Sequence, residues 1–103
     1  MQIGDVVTVV TISGEYVGKL VSQEDSAITI DNPRMILSNP QDGSMGFAKG
    51  IAATGVENPP IATFHNVVFV VPSNDKVVEA HAISTGEKDA PLIDVPAEKK
   101  IIT

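Results

Sequence analysis

Apolar β-branched runs and stretches of alternating apolar and polar positions, separated by turn residues, mark the first third of the chain. Residues 6–12 (VVTVVTI) are all β-branched, and such side chains favour an extended, pleated backbone. Ser13-Gly14 supplies turn chemistry. Residues 15–23 then alternate Tyr16, Gly18 and Leu20 on one face with Glu15, Val17, Lys19 and Val21 on the other, which predicts a second strand. Gly18 inside that strand predicts a sharp bend or a close backbone approach. A bent second strand is what a small barrel needs to pass from one sheet to the next. Glu24-Asp25-Ser26 makes the next turn, and residues 27–31 give a third strand with Ile28 and Ile30 on one face.

The second apolar landmark is residues 65–73, HNVVFVVPS. Alternation over 67–71 places Val68 and Val70 on one face and Val67, Phe69 and Val71 on the other. Both faces are apolar, and a small domain covers only one of them unaided, so the strand is a statement about assembly as well as fold. Residues 61–65 precede it as a fourth strand, and Pro72 ends the ladder. Between the third and fourth strands, residues 32–60 are dense in Asn-Pro, Asp-Gly, Gly and Pro-Pro steps. They read as a long insertion with short strand pieces near 34–37 and 45–51. After Pro72, Ser73-Asn74-Asp75 offers a cap for a short helix through about residue 83, although Val77-Val78 equally suits a strand. From Thr85 onward, Gly86, Pro91, Pro96 and scattered charges predict a mobile tail.

The expected architecture is therefore all-β, with five short, strongly bent antiparallel strands and a long insertion between strands 3 and 4. An SH3-like small barrel and an OB-fold are its two natural forms. Residues 1–73 form the barrel domain, and 74–103 are a C-terminal extension. At 103 residues with 43% hydrophobic and 19% charged residues, one globular domain is expected. Aromatics are limited to Tyr16, Phe47, Phe64 and Phe69, so Val and Ile must build the core.

Charge narrows the function classes. The formal net charge is −6, with seven acids against three bases in residues 1–72 and six against four in 73–103. Phosphate binding draws its affinity from Lys and Arg, so the basic footprint of a nucleic-acid binder is missing from the composition. The chain has no cysteine, which excludes disulfides and thiolate chemistry. No apolar run approaches the roughly 20 residues that cross a bilayer, and no signal peptide opens the sequence. A cytoplasmic protein without membrane attachment is expected. No nucleophile–base pair, phosphate loop or catalytic carboxylate pair stands out, so an enzyme is not expected, nor is a cofactor or a metal site.

Residues 6–30 are similar to the first conserved block of Sm/LSm proteins. A Val-rich strand leads to a glycine turn at Gly14, then Gly18-x-Leu20, then a loop and an apolar third strand. The second block resembles the bacterial Hfq branch. A histidine is followed, after a short turn, by an apolar strand ending in Val-Val-Pro-Ser, here His65 and Val70 to Ser73; Ile28 is also Hfq-like. The resemblance covers about residues 4–31 and 61–73. It implies an Sm-like fold, a ring of identical subunits in which strand 4 of one pairs with strand 5 of the next, and binding of single-stranded RNA. Val67, Phe69 and Val71 would then form the subunit interface. The chain departs from the family in having no N-terminal helix, in Gln23-Glu24 where Phe-Asp is usual, in Ser26 at the base-stacking loop position, and in Phe64 where a lysine precedes the histidine.

The candidate chemistry gathers at two loops. His65 and Asn66 would contact a base edge or phosphate at the ring pore, with Phe64 stacking; the plainer alternative is a strand-end histidine bonded to a turn carbonyl. Gln23, Glu24, Asp25 and Ser26 would line the same pore. Gln23 and Ser26 can bond nucleobases, whereas Glu24 and Asp25 repel phosphate; the plainer alternative is a solvated hairpin loop. Arg34 and Lys49 would make a phosphate surface if the insertion folds back, or are scattered surface charges. Glu79 and His81 have metal-ligand spacing only in an extended tail and lack further ligands nearby. Two functions follow. One is a ring that binds single-stranded RNA, or DNA. The other is a structural ring that has lost RNA binding and meets protein partners through 32–60 and 73–103.

Overall fold

The computed structural model describes residues 1–48 and 50–87. Six strands and one helix follow in the order β1 (Val6–Thr11), β2 (Gly14–Glu24), β3 (Ala27–Ser38), β4 (Met45–Phe47), β5 (Ile61–His65), β6 (Phe69–Pro72) and α1 (Asp75–Ser84). All strand pairings are antiparallel. The sheet runs β4-β3-β2-β1-β6, and β5 pairs with the first half of β3 while β4 takes its last residues.

β5 and β6 thus lie at opposite ends of the ordered path β5-β3-β2-β1-β6, yet only Asn66, Val67 and Val68 join them. Four Cα steps span at most about 15 Å, whereas four inter-strand gaps of a flat sheet measure about 19 Å. The sheet therefore curls to bring its ends together. Asn66 adopts a left-handed φ of 57°, and Val68 N–H donates to Val10 O at 2.8 Å, which turns the chain from the β3 edge to the β1 edge. Inside the curl lies the core of Val7, Val9, Tyr16, Leu20, Ile28 and Ile30, with Met35, Ile51, Phe64, Val67 and Val70 packed against it.

The all-β class stands, with one strand more than expected and two changed boundaries. β3 does not end at Asp31 but runs on to Ser38. Val17 pairs with Arg34 and Lys19 with Asp31, so Asn32 and Pro33 together face the single residue Gly18. This is a β-bulge. Asn32 takes φ of 51° there, and Pro33, which has no N–H to give a ladder, sits where none is required. The insertion consequently begins after Ser38, opens with a tight 39–44 hairpin closed by Asn39 N–H to Ser44 O at 2.8 Å, and is tied to the core by Ile51.

Gly18 allows the crossing. A Cβ on it would stand 2.8 Å from Asp31 O and 2.9 Å from Ile30 Cδ1. The expected close approach is thus real, and the close partner is the bulged strand.

The second boundary concerns β6, which starts at Phe69 rather than Val67. Val67 belongs to the turn and packs against the core, Val70 does likewise, and Val68 is exposed. The two-face alternation therefore begins only at Phe69.

Residues 75–84 are helical, not extended. The Asn74 side chain accepts from Val77 N–H at 2.9 Å, an N-cap that β structure cannot use. At the other end Glu87 N–H reaches Ala82 O and Gly86 N–H reaches Ile83 O, with Gly86 at φ of 83°. That pair of bonds is a Schellman stop. The expected mobile tail falls mainly on residues 88–103, outside the described residues.

Candidate nucleic-acid interface

Strand register builds the site. Glu24 pairs with Ala27, and Ala27 pairs with His65, so these three residues form one row across β2, β3 and β5. The residues that follow, Asp25-Ser26 on one side and Asn66 on the other, leave the sheet together at the same end. Between them lies a cleft of about 360 Å³. Its rim is polar, from Gln23, Glu24, Asp25, Ser26 and Asn66, while Ile28, Val67, Phe69 and Val70 supply apolar surface.

Five of the expected pore residues, Gln23, Glu24, Asp25, Ser26 and Asn66, therefore share one cleft. Phe64 and His65 do not line it. Alternation along β5 explains both. Ala62 and Phe64 turn inward, and the Phe64 ring packs on Tyr16 with centroids 4.7 Å apart. Ile61, Thr63 and His65 turn outward and are exposed. The aromatic that lines the cleft is Phe69, half exposed. The alternation places Phe69 at a subunit contact and gives no sign that it borders the 23–26 turn, because no local pattern shows that the start of β6 lines the same cleft as that turn.

The electrostatics of the cleft are acidic. Glu24 and Asp25 are its only charged residues. The described cations are elsewhere. Lys19 Nζ pairs with Glu87 Oε1 at 2.6 Å, holding that carboxyl below the usual range. Arg34 is buried and donates to Pro33 O at 3.0 Å, so it offers no phosphate surface. Lys76 lines a separate groove with Ile36, Met45, Gly46, Phe47, Val77 and Ala80. Lys49 lies outside the described residues.

Beside the cleft are two strand edges. Among the described residues β5 pairs only with β3, and β6 only with β1. Each of these strands carries exposed apolar side chains: Ile61 on β5, Phe69 and Val71 on β6. Such edges attract further strands. Glu79 and His81 do not form a metal pair: His81 is fully buried, with Nε2 2.8 Å from Asn32 O. The buried roles of His81 and Arg34 went unread, although Val77, Val78, His81 and Thr85 have the i, i+4 spacing of one helix face. No described helix is long and apolar enough to cross a membrane.

No protein-family model, curated protein or solved structure matches this chain.

Proposed function

We propose that this chain is the subunit of a homo-oligomeric, Sm-like ring that binds single-stranded RNA, and that it is a binding protein of the cytoplasm rather than an enzyme. The observation that carries the reading is the meeting of the Asp25-Ser26 turn with Asn66 above an apolar floor, beside two unpaired strand edges. Strand addition between β5 of one copy and β6 of the next would satisfy both edges and cover Ile61 and Val71, leaving Phe69 to the cleft. It would also repeat the cleft around the ring.

In each copy a base would stack on Phe69 while Gln23, Ser26 and Asn66 bond its edge. Affinity would come from bases rather than phosphates, because the cleft holds Glu24 and Asp25 and none of the described cations. Binding should therefore be weak and shallow in its salt dependence. The test is fluorescence anisotropy with labelled oligo-U, oligo-A and the matching DNAs at low salt. Binding by wild type that Phe69→Ser and Asn66→Gly both weaken supports the reading. No binding by any oligonucleotide overturns it.

The same acidity favours a second reading, a ring that has lost RNA binding and serves as a protein scaffold. It predicts that light scattering finds the ring while anisotropy finds no oligonucleotide bound. A monomer at micromolar concentration refutes both readings.

A further inference from the structure

His81 is the only fully buried residue of α1, and its ring rests on the β2–β3 bulge. The bulge takes Asn32 out of the β2–β3 register, and the carbonyl of Asn32 lies 2.8 Å from His81 Nε2. A carbonyl only accepts, so Nε2 carries the proton and Nδ1 is the bare nitrogen. Nδ1 is buried and has no hydrogen-bond partner among the described residues. Phe47 meets the ring edge-on at a centroid distance of 6.4 Å.

We infer that His81 is a pH-sensitive latch: neutral, it holds α1 against the bulge, and on protonation the helix undocks and opens the groove beside β4. That groove, about 280 Å³, is bounded by Ile36, Met45 and Phe47 from the sheet and by Lys76, Val77 and Ala80 from the helix. Protonation would place a second N–H, with no acceptor among the described residues, and a positive charge in a buried site. Burial lowers the His81 pKa; the Asn32 carbonyl opposes this, Arg34 on β3 and Lys19 on β2 add to it, and Glu87 after α1 opposes it. Because the docked pKa lies below the free value of 6.5, docking is strongest above that pH. It weakens as pH falls from there towards the docked pKa. The inference stands whether or not the ring binds RNA.

The test is a solution NMR titration of the full chain from pH 7.5 to 5, following the His81 imidazole, the α1 amides and Phe47. The α1 and Phe47 shifts should change in step with His81 protonation. Protection factors of α1 amides should fall by up to about tenfold per pH unit between the docked and free pKa values, while those of β1 and β2 hold. His81→Gln, which keeps a donor for Asn32 O and cannot titrate, should abolish the step. Titration of His81 without a change in α1 overturns the latch, and so does parallel loss of protection in β1 and β2. An undiminished step in His81→Gln overturns it as well. If His81→Gln fails to fold, the wild-type titration alone decides.

Discussion

Replacing Gly18 by alanine puts one methyl group where β2 crosses the bulged strand. Its Cβ would stand 2.8 Å from the Asp31 carbonyl oxygen, 2.9 Å from Ile30 Cδ1 and 3.0 Å from Ile30 Cβ. Neither neighbour has room to yield. Asp31 O belongs to a backbone paired across to Lys19, and Ile30 is fully buried in the core. Overpacking of this kind costs about 1–3 kcal/mol, and contact with backbone places Gly18 near the top of that range. Gly18 has no positive φ, so the alanine does gain about 0.4–1 kcal/mol from a less disordered unfolded chain. The net expectation is a loss of about 2 kcal/mol. With a urea m-value of about 1 kcal/mol/M for a domain this small, the midpoint should fall by about 2 M at an unchanged slope. Gly46→Ala is the control, since a Cβ there meets nothing within 4 Å, and its midpoint should hold or rise slightly. If Gly18→Ala is as stable as Gly46→Ala, the β2–β3 crossing is not the tight contact described above.

Three further outcomes follow from the geometry. Val71→Lys or Ile61→Lys should each convert the proposed ring to smaller species by light scattering, since each replaces a partly exposed apolar contact worth roughly 1 kcal/mol per copy with a charge on an edge strand; retained assembly in both would refute edge pairing. Asn66→Gly should shift the denaturation midpoint only slightly, because glycine's ease at the φ of 57° offsets the greater disorder it gives the unfolded chain, while oligonucleotide affinity drops; equal affinity would remove Asn66 from the site. Asn74→Ala should cost about 1 kcal/mol by loss of the N-cap on Val77, read as increased hydrogen exchange confined to α1, and an unchanged α1 would refute the cap.

Much of the fold was legible because its signals are local. The Val- and Thr-rich run of β1, the Ser13-Gly14 turn, β2 and the 61–65 strand are all encoded by residues close together in the chain, as is the Asn74 cap. The candidate site was half legible for the same reason. Turn residues such as Asp25, Ser26 and Asn66 announce themselves, and the register of β2, β3 and β5 brings their turns to one end of the sheet. Phe64 packs in the core and Phe69 lines the cleft because one residue of phase decides which side chain faces inward, and Asn66, with its left-handed φ, stands between β5 and β6.

By itself, then, the sequence determined most of the strand-forming segments, the all-β class, the close approach at Gly18 and the acidity that limits phosphate binding. Each follows from side-chain shape, backbone permissiveness or charge, which residues carry wherever they sit. The tertiary structure alone decided that β3 continues through Asn32-Pro33, because only the facing Gly18 makes room for a bulge there. It also decided that His81 is a buried contact rather than a ligand. That fate depends on the Asn32 carbonyl, 49 residues away in the chain, and long-range contacts leave no trace in local pattern until the chain has folded.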